Sequence, residues 1–280
     1  MAKSIRLDQA LVERGLTDTR SRAKSFIMAG DILVNGVKET RAGRNVAERD
    51  EVTFREKPRF VSRGGEKLDH ALTSFQIDVT DQVAADLGAS TGGFTDCLVQ
   101  RGIQRVYAVD VGYGQIDDKL RNDDRVIVME RENARYLESL PEPIDITVID
   151  VSFIGLSLIF PVVAKLSRPG AVCVPLIKPQ FEAGRADLGK GGVVRDHAVH
   201  RRVIREALDS AIANGLNPHG VVASPLRGPA GNIEFLAHLV AEPITATDDA
   251  LAAMVESAMA EAMAILAAAG ESDTEPEAEA

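Results

Sequence analysis

Apolar and polar positions change period several times along the chain, and each change predicts an element. Near the N-terminus Leu7, Ala10 and Leu11 share one helical face, and Gly15-Leu16 stops the run. Thr19 caps a second predicted helix, Arg20 to Ala29, whose apolar face is Ala23, Phe26 and Ile27 and whose stop is Gly30. Ile32-Leu33-Val34, the pair Asn35-Gly36 and Val37-Lys38 read as a tight β-hairpin, and Val46 to Phe54 as one further strand. Residues 57–66, with Pro58, Gly64-Gly65 and several charges, read as a connector. A helix opens at Lys67, with Leu68, Ala71, Leu72 and Phe75 on one face. Seven apolar, β-branched runs follow: Val83–Gly88, Arg105–Val111, Val126–Glu130, Ile144–Val151, Ala171–Lys178, Gly220–Ser224 and Ile233–Val240. Helical stretches separate most of them, which predicts an α/β unit with helices packed on a largely parallel seven-stranded sheet. The Ala- and Met-rich residues 241–268 predict a helix, and Gly270 to Ala280 an acidic, disordered tail.

Composition narrows the class. The 280 residues are 45% apolar and 26% charged, which suits about two globular domains. Cys97 and Cys173 stand alone in apolar surroundings, so a disulfide framework and a Cys/His metal site are not expected. The five histidines show no ligand spacing and are read as surface residues. The N-terminus lacks the apolar stretch of a signal peptide. The longest uncharged apolar run, Val151 to Ala164, is shorter than the roughly 18 residues of a membrane span. A soluble, cytoplasmic protein without a membrane partner is expected. The net charge of −10 is unevenly spread: the last forty residues carry ten acidic and no basic residues, whereas residues 1–67 carry 15 basic against 10 acidic. A basic head before an acidic body points to an anionic polymer as partner.

The strand ends carry the candidate chemistry. Asp86-Leu87-Gly88-Ala89-Ser90-Thr91-Gly92-Gly93-Phe94 follows the first strand of the α/β unit and opens a helix, where glycines let backbone approach a ligand. Ser90 stands where a dinucleotide fingerprint needs its second glycine, which argues against that class. Asp110 ends the next strand, before Val111-Gly112-Tyr113-Gly114-Gln115, at the spacing that suits a ribose diol. Asp150 and Lys178 each close a buried strand, and Glu234 lies just inside the last one. Such residues belong at the carboxyl edge of the sheet, where open α/β folds bind ligands. The glycine-rich segment Gly184 to Arg195 reads as a mobile lid.

Residues 5–55 resemble the S4-type RNA-binding domain, on Arg6-Leu7-Asp8, Thr19-Arg20-Ser21-Arg22-Ala23, Gly30 and Val34-Asn35-Gly36. That resemblance implies an RNA surface on the second helix and the hairpin, with Arg6, Arg20, Arg22, Lys24, Asn35 and Lys38 as contacts. The acidic residue two places before Gly88 resembles the first motif of S-adenosylmethionine-dependent methyltransferases. It implies that Asp86, Gly88, Ser90, Thr91, Gly92, Gly93, Phe94, Asp110, Val111, Gly112 and Gln115 hold that cofactor. Lys67, Asp150, Lys178 and Glu234 resemble the catalytic Lys-Asp-Lys-Glu tetrad of the FtsJ-type ribose 2′-O-methyltransferases. Head and body together resemble the TlyA family of ribosomal RNA cytidine 2′-O-methyltransferases, also called haemolysins. Members commonly carry a connector tryptophan, where this chain has Phe60 and no tryptophan.

The resemblance implies a Rossmann-like methyltransferase fold, S-adenosylmethionine as cofactor, no metal, ribosomal RNA or ribosomal subunits as partner, and no obligate protein partner. It divides the chain into an S4-type domain (1–56), a linker (57–66), a methyltransferase domain (67–245) and a C-terminal helix with acidic tail (246–280). Lys178 is expected either to take the proton of the ribose hydroxyl as a neutral base or to stabilise the forming alkoxide as an ammonium, with Asp150 and Glu234 positioning the two lysines. Two rivals stand beside this reading: a non-catalytic RNA-binding protein and a membrane-active haemolysin.

Overall fold

The computed structural model describes residues 4–17, 19–56 and 58–268, with Ser21 described by its backbone alone. The acidic tail read at Gly270 to Ala280 lies outside the described residues. The chain divides into two compact units, Met1–Ser62 and Arg63–Ala280.

In the first unit β1 (Ser4–Arg6) runs into α1 (Leu7–Glu13), followed by α2 (Arg20–Ala29). The Thr19 side chain accepts the amide of Arg22 at 3.2 Å, and Gly30 ends α2 at φ 78°. β2 (Ile32–Val34) turns through Asn35 and Gly36, both at positive φ, into β3 (Val37–Glu39). That pair of left-handed residues is what a two-residue hairpin demands. The single strand expected over Val46 to Phe54 is instead two, β4 (Asn45–Ala47) and β5 (Val52–Phe54). Asp50 breaks the run: its carboxylate accepts the Ala47 amide at 2.8 Å, and its own amide bonds back to the Ala47 carbonyl. β4 then pairs with β1, and β5 with β2. Leu7, Leu11, Phe26, Ile27, Ile32 and Val46 form the core between helices and strands.

The second unit opens with α3 (Gly64–Ser74), which begins inside the segment read as a connector, three residues before Lys67. β6 (Val83–Leu87), α4 (Gly93–Gln100), β7 (Arg105–Asp110), α5 (Asp118–Arg121) and β8 (Val126–Glu130) follow. The chain then returns through β9 (Ile144–Ile149), α6 (Phe160–Leu166), β10 (Ser167–Ile177), α7 (Pro179–Glu182) and α8 (His197–Ala213) to β11 (Leu216–Ala223), β12 (Phe235–Ala241) and α9 (Asp248–Ala268). The sheet order is β11-β12-β10-β9-β6-β7-β8; all pairs are parallel except those of β12, which is antiparallel to both neighbours. From β6 the chain winds outward to β8, then crosses to the other side of β6 with β9. That reversal leaves a crevice beyond the carboxyl ends of β6 and β9, the place where such sheets take ligands. All five residues of β6 are buried, as a central parallel strand covered on both faces should be.

Two expectations need correction. Glu234 lies in the loop before β12, not inside a strand. His200 is fully buried beside Phe235 rather than on the surface, and His238 is pushed down to about 4 by burial and by the neighbouring His219. α9 is long and apolar enough to cross a membrane by length and composition, with Glu256 and Glu261 as the charges within its apolar stretch. It buries Leu251, Val255, Ala258, Met259, Ala262 and Leu266 in the core against α8 and β11. Glu261 accepts the Ala223 amide at 2.9 Å, and Glu256 pairs with Arg201 at 2.7 Å. A helix used this way is part of the core, so Met259→Ala should cost about 2–5 kcal/mol of stability. Denaturant unfolding of the variant tests this, and a loss below about 0.5 kcal/mol, the surface-substitution range, would mean that α9 is only loosely attached.

Candidate active site

The close approach of two loops shapes the crevice. Gly88 follows β6 at φ 93°, and a Cβ on it would lie 2.7 Å from the Asp150 carbonyl oxygen at the end of β9. Only glycine fits both that backbone conformation and that contact. At the end of β7 the Asp110 carboxylate accepts the Ser90 amide at 2.8 Å on one oxygen and the Gly112 amide at 2.7 Å on the other. Each oxygen keeps a lone pair for a further donor. Beside it lies a cavity of about 300 Å³ lined by Gly88, Ser90, Asp110, Val111, Gln115 and Asp150 from among the expected residues. Glu132, Asn133, Ala134, Ser152 and Phe153 also line it. None of these five is singled out by the sequence: Glu132-Asn133-Ala134 follows β8 and its terminal Glu130 with no glycine to mark a close approach.

The four candidate catalytic residues fall into two ion pairs. Lys178 Nζ lies 2.5 Å from Asp150 Oδ1, 2.9 Å from the Val151 carbonyl and 3.1 Å from Ser152 Oγ. Three acceptors surround a group that, as an ammonium, has three hydrogens to give. Lys67 Nζ pairs with Glu234 Oε2, and the other Glu234 oxygen accepts from Gln180 Nε2 at 3.0 Å. Lys67, Lys178 and Glu234 are all buried. The antiparallel register that pairs Ile177 with Phe235 sets Lys178 and Glu234 one step beyond the ladder on facing strands. Gln180 is a further member of this set, within the run from Lys178 to Glu182 but unassigned from sequence. Asp150 and Ser152 both line the cavity and both touch Lys178, so the Asp150–Lys178 pair stands at the cavity wall.

The profile of FtsJ-like methyltransferases matches residues 60–240, and that of the S4 domain residues 5–52. The chain belongs to the FtsJ-like methyltransferase family. The 16S/23S rRNA (cytidine-2′-O)-methyltransferase TlyA of Mycobacterium tuberculosis is 42% identical over 257 residues, covering 90% of this chain and 94% of that protein. Hemolysin A of Brachyspira hyodysenteriae is 41% identical over 242 residues, covering 84% of this chain and all of that protein. A solved structure from Streptococcus thermophilus that carries a hemolysin name superposes with a TM-score of 0.74 at 41% identity, covering 93% of this chain and 98% of that one.

Within this FtsJ-like unit, several expected cofactor residues are not among those lining this cavity. Phe94 is core, and Gly92 is the left-handed N-cap of α4, where a Cβ would meet Leu120. Thr91 and Gly93 belong to the same turn into α4, and Gly112 acts through its bond to Asp110. The Gly184–Arg195 segment read as a lid is tied at its base. Asn232 accepts the Val194 amide at 2.9 Å and donates to the Gly192 carbonyl at 3.1 Å, while Val194 enters the core. Across the turn after β9, Glu182 accepts the Leu156 amide at 2.9 Å, and burial raises its carboxyl.

In the S4 unit, Arg6 and Arg20 both bond to the buried Asp8, Lys24 and Lys38 are exposed, and Arg22 lies over the Phe26 ring. Asn35, expected as an RNA contact, is exposed and also has a structural role. Its amide donates to Asp50 at 3.1 Å and accepts the Glu51 amide at 2.8 Å, so it holds the hairpin turn.

Asp86 is fully buried. Its Oδ2 accepts from Thr95 Oγ1 at 2.6 Å, and its Oδ1 has no hydrogen-bond partner among the described residues. Burial pushes the carboxyl from 3.8 up to about 7; the Thr95 bond opposes this and the Asp150 and Asp110 carboxylates add to it. A raised carboxyl binds its proton more tightly in the folded chain than in the unfolded one. Stability should therefore fall as pH rises from about 4 to 7. Asp86→Asn removes the titrating group and should flatten this decline, leaving the variant more stable than the parent above pH 7 by up to about 4 kcal/mol. Melting curves of both proteins across pH 4–8 decide it. Parallel curves would show that Asp86 ionises as freely folded as unfolded.

Proposed function

We propose that this chain transfers a methyl group from S-adenosylmethionine to the 2′-hydroxyl of a ribose, that of a cytidine, in ribosomal RNA. The observation that carries the reading is the Asp150–Lys178 pair at the wall of the cavity, with Lys67–Glu234 beside it. The residues suit the cofactor: Asp110 offers an acceptor to each hydroxyl of a ribose diol, and Val111 and Ala134 offer apolar surface to a flat ring. When bound, the cofactor supplies a methyl carbon on a sulfonium, which is a good leaving group and needs no metal to activate it.

The polar set around Lys178 favours the ammonium role. Held by Asp150, Nζ meets the 2′-oxygen as it gains negative charge, and the substrate oxygen takes the place of Ser152, the longest of the three contacts. As the oxygen–carbon bond forms and the sulfur–carbon bond breaks, the hydroxyl proton passes to Asp150, directly or through Nζ. Lys67 and Gln180 each bond one Glu234 oxygen, which keeps the second carboxylate in place. The basic S4 unit docks the RNA through phosphates, which give position and affinity but little sequence information. The ribosome as substrate places the enzyme in the cytoplasm.

The test is transfer of label from S-adenosylmethionine to 30S subunits, 50S subunits and protein-free ribosomal RNA, followed by mapping of the modified nucleotide. Lys178→Ala should lower the rate by about 10²–10⁴ while cofactor affinity stays within a few-fold. Turnover near that of the parent would remove Lys178 from the mechanism. Asp110→Ala should weaken cofactor binding by roughly 10–100-fold in calorimetry, the loss of hydrogen bonds to a charged acceptor. Unchanged affinity would assign the diol to another group.

A further inference from the structure

Asp8 is a fully buried carboxylate that methyl transfer does not use. It lies in the first turn of α1. Arg6 grips it with two bonds, Nε to Oδ1 at 3.0 Å and Nη2 to Oδ2 at 3.2 Å. Arg20, from α2, donates Nη2 to the same Oδ2 at 2.9 Å. Two like-charged groups that would repel one another are thereby fixed side by side on one carboxylate oxygen. Their side chains remain 46% and 53% exposed, whereas that of Asp8 has no exposure. The backbone at Gly43 confines Arg6 further, since a Cβ there would lie 3.1 Å from Nη1.

We propose that Asp8 is the positioning residue of a two-arginine clamp for a backbone phosphate of RNA, an inference that rests on the reading of the S4 unit as the RNA-docking module. Free arginine side chains lose much rotamer freedom on binding. Here the buried anion has fixed both forks before RNA arrives. The triad carries one net positive charge, the complement of one phosphodiester. Planar guanidinium edges match phosphate oxygens two at a time, which an ammonium does not. The low carboxyl of Asp8, held at about 2 by Arg6 and then Arg20 against the pull of burial, keeps the anion charged at every pH where RNA is intact.

The sign of the effect separates positioning from charge alone. If only the electrostatic field mattered, removing the negative charge of Asp8 would tighten RNA binding. If Asp8 positions the arginines, removing it weakens binding. We would measure binding of the full-length protein to 30S subunits, 50S subunits and protein-free ribosomal RNA over a range of salt. Arg6→Gln and Arg20→Gln should each weaken binding. Asp8→Asn, which keeps the side-chain shape, should also weaken it, by about tenfold, and lower the log–log salt slope by about 0.7–0.9 for each phosphate that the arginines no longer neutralise. S-adenosylmethionine affinity should not change. A folded Asp8→Asn protein that binds RNA as tightly as the parent, or more tightly, overturns the clamp.

Should Asp8→Asn melt the first unit, Arg20→Lys decides instead. It keeps the charge and loses the planar fork, so a several-fold weaker affinity supports the clamp and an unchanged affinity overturns it. If Arg6→Gln and Arg20→Gln both leave RNA binding unchanged, the docking role of the S4 unit fails, and the clamp with it. That result is distinct from one in which the arginines matter and Asp8 does not.

Discussion

The methyltransferase unit depends on one backbone contact, that of Gly88 against the end of β9. The two central strands of the sheet, β6 and β9, are parallel neighbours, so their carboxyl ends emerge side by side. The chain leaving β6 must turn at once to reach α4, and the chain leaving β9 must turn in the same space. Gly88 permits this because it has no Cβ to meet the Asp150 carbonyl. The contact fixes Asp150 relative to the loop that continues through Ser90 to the Asp110 bond. Asp110, the proposed acceptor for a diol, and Asp150, the anchor of Lys178, are thus set by the same few ångströms of backbone. A larger residue at position 88 would disturb both ends of the site at once, although it touches neither reactive group.

The site's charges are balanced locally, and burial explains why. A lone ammonium or carboxylate in the interior carries a heavy desolvation cost, and even a pair recovers it only with good geometry and added hydrogen bonds. Lys178 has three oxygen partners and Glu234 has bonds on both oxygens. The tetrad is therefore best understood as two neutral pairs, not four independent charges. Such pairs add little to stability compared with an apolar core of the same volume. In the proposed reaction their use is orientation: a Lys178 nitrogen already surrounded by oxygens needs little reorganisation when one of them is exchanged for a reacting hydroxyl.

Much of this was legible in the sequence, for reasons that mark where legibility ends. The seven strands of the α/β unit, the helix from Thr19 to Gly30 and the Asn35-Gly36 turn follow from periodicity, caps and positive φ, which are local properties. Lys178 and Asp150 could be placed at strand ends because a charge after a β-branched run has only the sheet edge to occupy. The two strands inside Val46 to Phe54 were hidden because a side chain, Asp50, and not a glycine or proline, makes the turn. Which residues of the motif line the cavity is also not legible in the sequence. Gly88 to Phe94 is one continuous motif in sequence, yet its far end is the core of α4. Glu132 to Ala134 and Gln180 were missed because their roles arise from partners distant in sequence, and no spacing rule reports such contacts.

Asp8 and Asp86 show most clearly what burial does to a residue that the sequence cannot weigh. Both side chains are fully buried, and both stand in short motifs. Two guanidinium groups reach Asp8 and hold its carboxyl at about 2. Only Thr95, through its hydroxyl and backbone amide, holds Asp86 down, while burial first and then two nearby carboxylates push it up to about 7. The first is a permanent anion that can order cations around it. The second titrates near physiological pH, and one of its oxygens has no hydrogen-bond partner among the described residues. The difference follows from partners contributed by other parts of the chain. A buried acid therefore gains its function when the fold delivers its counter-charge or withholds it. In the first unit the fold delivers two arginines to one aspartate, and in the second it leaves one aspartate near two others.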